Sequence, residues 1–268
     1  MSSDDPFVDL KKRQREMWAS FAPTAMFTTP VAARLVDFAQ VRPGETVLDV
    51  GTGTGVVAIT AARAGARVSA LDLTPELLVT ARENADIAQC GGIEWTEGDA
   101  EQLPYPDASF DVVLSQFGHM FAPRPEVAIA QMRRVLKPGG RIAFATWPPE
   151  HLIGRMFAFV GRHSPPPPPG AAAPPQWGAP GIIAERLGER FDAPFFARGV
   201  MAFPALSLAH YRQFMERSVG PMQKLVEGLV GDAGRLAAVR AEFDSLVSPY
   251  YVGNVVHQDY LLTRAQVR

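Results

Sequence analysis

Two periodicities divide the chain. Up to about residue 40 the pattern is helical: Leu10, Gln14, Met17, Trp18 and Phe21 fall near one helical period, with Lys11, Lys12, Arg13 and Arg15 between them. Pro23 interrupts this run. A second helix is predicted from Pro30 to about Gln40, followed by a turn at Pro43-Gly44. From Thr46 onward short apolar runs alternate with helical segments. Strands are predicted over 46–50, 67–72, 93–97, 110–115 and 141–146, and helices over 56–63, 75–89 and 127–136. The last of these helices should stop at Lys137-Pro138-Gly139-Gly140. Alternation of this kind predicts βαβ units and a parallel sheet covered on both faces.

Beyond Trp147 the alternation loosens. A helix is predicted over 151–161, then five consecutive prolines, Pro165–Pro169, open an Ala/Pro-rich stretch that reaches Pro180. That stretch reads as a stiff surface linker or as the edge of a lid over a pocket. A helix over 181–190, a strand over 195–203, helices within 206–247 and a closing strand over 255–267 complete the pattern.

Composition narrows the classes. The 268 residues are 47% hydrophobic and 20% charged, which suits a folded chain rather than a disordered one. The net charge of −2 lacks the basic excess that phosphate neutralisation requires, so no nucleic-acid partner is expected. The single cysteine, Cys90, cannot form an internal disulfide, and no group of His, Cys or acidic residues has a metal-ligand spacing. Met1–Asp5 carry no basic-then-apolar leader, and no apolar run reaches the roughly 18–20 residues of a membrane span. The expectation is a cytoplasmic protein with no membrane span.

The most informative stretch is Val47-Leu48-Asp49-Val50-Gly51-Thr52-Gly53-Thr54-Gly55-Val56. A strand runs into alternating glycines and then a helix, so the backbone can turn sharply and approach a ligand. The dinucleotide fingerprint would place its third glycine at Val56, one residue later than Gly55. Asp49 would repel a pyrophosphate, whereas it would help a cofactor that carries an ammonium group, directly or by holding the loop. Asp72, at the end of the second strand, suits the hydroxyls of a ribose, its bland alternative being a helix cap. Asp99, after the third strand, suits an exocyclic amine.

These segments, together with Gly98–Pro106, Ser109–Val113 and Leu136–Gly140, resemble class I S-adenosylmethionine-dependent methyltransferases. The nearest similarity is to the small-molecule branch that includes the ubiquinone/menaquinone biosynthesis C-methyltransferases. The resemblance covers about residues 40–147. It implies an α/β fold: a Rossmann-like, doubly wound sheet of seven strands with an antiparallel last strand, N-terminal helices and a helical cap. It divides the chain into an N-terminal helical lid (1–40), a cofactor-binding core (41–205 and 251–268) and a cap (206–250). It implies S-adenosylmethionine as cofactor and S-adenosylhomocysteine as product. By position, Gly51, Gly53 and Gly55 line the methionine portion, Asp49 and Thr52 belong to the same cofactor-binding loop, Asp72 takes the ribose and Leu73 packs on the adenine. Asp99 and Ala100 hold the adenine edge, and Ser115 and Gln116 face the methionine or the substrate.

Methyl transfer from a sulfonium is an in-line displacement that needs alignment and exclusion of water more than covalent help. Aromatic faces can stabilise the sulfonium, and Trp18, Phe21, Phe117 and Trp147 are candidates. If the acceptor must lose a proton, His119 is the candidate base, its bland alternative being a cap or cofactor contact. Tyr211 is a weaker polar candidate on the cap. Ser115-Gln116-Phe117-Gly118 departs from the Asn/Asp-Pro-Pro-aromatic motif of methyltransferases acting on bases and protein amides. Two rival readings are an NAD(P)-dependent oxidoreductase and a non-catalytic S-adenosylmethionine-binding protein.

Overall fold

The computed structural model describes residues 5–268; residues 1–4 of the N-terminal segment lie outside the described residues. Helix α1 (Val8–Trp18) is followed by α2 (Ala22–Phe38). The sequence pattern places the start of α2 too late. Pro23 sits in its first turn, where no intrahelical N–H is needed, and Pro30 lies inside it.

Next come β1 (Thr46–Val50), α3 (Val56–Arg63), β2 (Arg67–Asp72), α4 (Pro75–Ile87), β3 (Glu94–Glu97), β4 (Phe110–Gln116), α5 (Pro125–Val135) and β5 (Leu136–Thr146). The buried runs of β1 and β4 read as continuous apolar stretches because the sheet is covered on both faces. Lys137-Pro138-Gly139-Gly140 does not lie outside the fifth strand as expected. Pairing with β4 begins at Phe110–Leu136, shifts register, and resumes at Val112–Arg141, so these residues form a bulge within β5.

The rest comprises α6 (Leu152–His163), α7 (Pro180–Leu187), β6 (Phe195–Pro204), α8 (Leu208–Ser218), α9 (Gly220–Glu227), α10 (Ala233–Val247), the two-residue β7 (Tyr251–Val252) and β8 (Val255–Gln266). The sheet order is β3-β2-β1-β4-β5-β8-β6, with β7 paired to β8. The first five strands are parallel; β8 runs antiparallel to both β5 and β6. The result is a doubly wound Rossmann-like sheet with an antiparallel last strand.

Two apolar clusters hold it. One fills the sheet and its covering helices, from Val31 and Leu48 to Phe144 and Leu262. The other joins α6, α8, α9 and α10 to Phe203 and Val256 at the ends of β6 and β8. The proline-rich segment ends in a short 3-10 turn over Pro174–Gly178 that buries Trp177 completely. A Cβ on Gly178 would lie 2.1 Å from the Trp147 carbonyl oxygen, so backbone packs on backbone where this turn crosses the end of β5. Among the described residues no helix is long and apolar enough to cross a membrane.

Candidate active site

In an open parallel sheet, ligands bind beyond the carboxyl ends of the strands, where the order reverses. Here that edge collects the ends of β1, β2, β3 and β4, and one cavity runs along it. Asp49, Gly51, Thr52, Gly53, Asp72, Leu73, Asp99, Ala100, Gln116, His119 and Trp18 all line it. Gly55 and Ser115 do not. Gly55 caps α3 in the left-handed region (φ 84°), and a Cβ there would sit 2.8 Å from the Trp95 ring. Its work is close packing of the helix, the role the dinucleotide fingerprint gives its third glycine. Ser115 is buried; its hydroxyl donates to the Val50 carbonyl at 2.6 Å and accepts from the His119 N–H at 3.1 Å. It ties β1 to the loop after β4 and presents nothing to a ligand.

Asp49 is fully buried at the floor of the glycine loop. One carboxylate oxygen accepts from the Thr52 hydroxyl at 2.6 Å, and Oδ1 has no partner among the described residues. Burial pushes its pKa up to about 7, against the Thr52 hydrogen bond and with the help of nearby Asp72. A buried carboxylate oxygen with an open lone pair is the group an ammonium would satisfy. Asp72 accepts from the Gly53 N–H at 2.7 Å and the Thr74 N–H at 2.8 Å, one per oxygen, which leaves lone pairs on both for hydroxyl donors. Burial raises its pKa against those same bonds. Thr74 occupies the cap position of α4, yet its side chain makes no capping bond.

The third carboxylate carries a feature that sequence reasoning missed. Lys11 is not on the solvent face of α1; it is 2% exposed. Its ammonium bonds Asp5, Asp99 at 2.6 Å and Glu101 at 2.7 Å. Desolvation works against that charge, but the three carboxylates outweigh it and raise the Lys11 pKa. Arg124 joins from the other side, its Nε donating to Glu101 at 2.8 Å. The three carboxylates converge as metal ligands would, and the Lys11 ammonium fills that position instead. In the sequence Lys11 stands among Lys12, Arg13 and Arg15 and carries no sign of burial. The contact latches α1 onto the loop after β3, with Asp99 shared between latch and cavity.

His119 does not fit the role of base. It is 1% exposed, its ring lies 4.7 Å from both the Phe144 and Trp177 rings, and neither nitrogen has a partner among the described residues. Burial, reinforced by the charge of Arg186, lowers its pKa to about 3. A neutral imidazole of that basicity is a poor proton acceptor near neutrality.

At the junction between the glycine loop and the rest of the cavity, Phe117 adopts φ 62°, a left-handed conformation uncommon for a non-glycine residue. The turn lays its ring on Trp147, with centroids 3.9 Å apart and planes within 8°. Beyond this pair the cavity opens into an apolar chamber. Phe21, Thr24, Ala25 and Thr28 of the α2 region face Ile153, Met156, Phe157 and Val160 of α6, each set at helical spacing. Met201 and Phe203 of β6, Met215 of α8 and Met222 of α9 complete the wall, with Gln258 of β8 among them. Gln258 is the polar residue on the inward-facing positions Val256, Gln258 and Tyr260, and that break in an apolar alternation was its sequence signal.

Residues 48–144 match the family model described as a methyltransferase domain. The chain is 32% identical over 264 residues to an uncharacterized protein of Mycobacterium tuberculosis H37Rv, covering 97% of this chain and 96% of that one. It is 37% identical over 162 residues to the demethylmenaquinone methyltransferase of Deinococcus radiodurans, covering 56% of this chain and 67% of that one. In fold it is similar to a crystal structure from Bacillus halodurans C-125, with TM-score 0.58, 22% identity, and coverage of 88% of this chain and 97% of the other.

Proposed function

The chain belongs to the class I S-adenosylmethionine-dependent methyltransferases, and from that premise we propose that it methylates a small molecule held in the apolar chamber, by in-line displacement. The observation that carries this reading is the continuity of one cavity. It runs from the carboxylates Asp72 and Asp99, past Asp49 and the glycine loop, into a chamber walled by α2, α6, α8 and α9.

S-Adenosylmethionine, when bound, supplies a methyl group on a sulfonium that is already activated toward displacement. The chain's own residues do the rest. Asp72 holds ribose hydroxyls, Leu73 packs on the adenine, and Asp99 with Ala100 holds the adenine edge. The open Oδ1 of Asp49 takes the ammonium end, and Gly51, Thr52 and Gly53 close the backbone around it. Trp18 and the Phe117–Trp147 pair offer ring faces near the sulfonium, worth about 0.5–2 kcal/mol. The α2 and α6 faces align the acceptor and keep water out, and alignment of this kind lowers a barrier by up to about 7–11 kcal/mol. With His119 neutral and enclosed, the site works by positioning.

The test is incubation with S-adenosylmethionine labelled on the methyl group and a clarified cell extract, followed by separation into small molecules, protein and RNA. Label should enter the small-molecule fraction. Label retained in protein or RNA would overturn the acceptor class.

A further inference from the structure

The polar groups of the chamber share one orientation. The Gln116 amide donates from Nε2 to the Thr28 carbonyl at 3.1 Å, leaving Oε1 buried with no partner among the described residues. The Gln258 amide donates from Nε2 to the Tyr211 hydroxyl at 3.0 Å, and no protein donor among the described residues reaches its Oε1. Thr24 donates to the Ser218 carbonyl at 3.4 Å and Thr28 to the Ala25 carbonyl at 2.8 Å, so each hydroxyl keeps only lone pairs free. Four polar side chains line this chamber, and each makes a donor bond into the protein and keeps an acceptor for a ligand.

The Gln258 orientation is held from behind. Tyr211 is fully buried; its hydroxyl accepts from Gln258 and donates toward Met156 Sδ at 3.9 Å. Burial raises its pKa against the Gln258 hydrogen bond, so it stays protonated across the working range. Gln258 itself is 3% exposed and lies opposite Met201 in the β6–β8 register.

The lone pairs of these four side chains repel an anion and themselves offer nothing to a carbonyl or ether. A cation there would be desolvated without a carboxylate to pair with, which is costly. The indole Nε1 of Trp18, unpartnered on the neighbouring wall, is a neutral donor that compensates no full charge. Resting on the methyltransferase reading above, we propose that the acceptor is an uncharged, largely apolar molecule bearing a hydroxyl or N–H donor. Gln258 reads that donor through Oε1 as a specificity-determining residue. Tyr211 is the positioning residue behind it.

One skeleton in three forms tests this: 1-naphthol, 1-methoxynaphthalene and 1-naphthoate, titrated calorimetrically against the full chain with and without saturating S-adenosylhomocysteine. Naphthol should bind more tightly than the methyl ether, and naphthoate should bind least. Gln258→Leu and Tyr211→Phe should each weaken naphthol by about five- to ten-fold, the usual worth of a neutral hydrogen bond, and leave the methyl ether unchanged. Unaltered S-adenosylhomocysteine affinity in both variants shows that they are folded. Three results overturn the proposal: naphthoate binding as well as naphthol, equal loss for naphthol and its ether in the variants, or no naphthol binding in either condition. Failure of wild-type chain to bind S-adenosylhomocysteine strikes the cofactor reading instead. The ranking of the three probes without it still decides the role of Gln258.

Discussion

Gly51 and Gly118 meet backbone to backbone. A Cβ on Gly118 would lie 2.7 Å from the Gly51 carbonyl oxygen, and a Cβ on Gly51 would lie 2.8 Å from the Gly118 Cα. Gly118 has an ordinary right-handed conformation (φ −72°), so its glycine is required by space alone. Gly118→Ala should push the loop after β4 off the glycine loop. The expected result is a loss of about 1–3 kcal/mol in stability and at least about ten-fold in S-adenosylhomocysteine affinity. Gly139→Ala is the control. Gly139 has φ 73°, which strains any side chain put there, but it has no close neighbour, and it lies in the β5 bulge away from the cavity. It should lower Tm and leave affinity alone.

The buried Asp49 gives cofactor binding a pH dependence of known sign. Its pKa in the free chain stands at about 7, raised by burial, and an ammonium beside Oδ1 favours the ionised form. Binding therefore releases a proton below that pKa, and affinity for S-adenosylhomocysteine should rise by about ten-fold from pH 6 to pH 8. Calorimetry in buffers of different ionisation enthalpy should register the released proton at pH 6. Asp49→Asn should abolish both effects. A flat profile in the wild type would remove the ammonium from Asp49.

His119 gives folding stability, rather than binding, a pH dependence, and it also rises with pH. Its folded pKa of about 3 lies below the ordinary 6.5, so below pH 6.5 the unfolded chain binds the extra proton and the folded chain does not. Its contribution is whole above pH 6.5 and falls as pH drops toward 3. Between pH 7.5 and pH 5 the loss should be about 2 kcal/mol. Urea unfolding of wild type and His119→Leu should differ by that slope. The same variant should keep methyl transfer within a few-fold, whereas loss beyond about a hundred-fold, in the range general base catalysis supplies, would restore His119 as the base.

Lys11 makes α1 a latched element. Removing one partner of a buried ion cluster costs about 3–5 kcal/mol because uncompensated charge remains. In Lys11→Met that cost should fall on the docking of α1, since Asp5, Asp99 and Glu101 would then face one another with only Arg124 between them. Limited proteolysis should cut within residues 8–22 in the variant and spare the wild type, and S-adenosylhomocysteine should bind more weakly. Lys12→Met, at an exposed position, should change neither.

The sheet and the glycine loop were legible because their causes are local. Alternation of strand and helix sets the layers, and Gly51–Gly55 with Asp49 and Asp72 marks where the chain must turn around a ligand. The misplacements share a different cause. Lys11 reads as a surface lysine until three carboxylates from distant segments close around it. Pro30 reads as a helix start because local rules do not show that α2 can carry an interior proline. His119 reads as a base by its place after β4, and only tertiary packing brings Phe144 and Trp177 against its ring. Ser115 and Gly55 belong to the right segments, yet their side faces point into the scaffold. Gln258 has a polar identity on an apolar face, a signal that gains meaning only when β8 lies beside β6 and Tyr211.

The central claim is that the carboxylate-lined edge from Asp49 to Asp99 holds S-adenosylmethionine and its product. Calorimetric titration of the chain with S-adenosylhomocysteine, and separately with NAD, tests it most directly. One-to-one binding of S-adenosylhomocysteine, weakened about ten- to 150-fold in Asp72→Ala and with NAD silent, is the expected result. Binding of NAD with no binding of S-adenosylhomocysteine, or an Asp72→Ala variant with undiminished affinity, would contradict it.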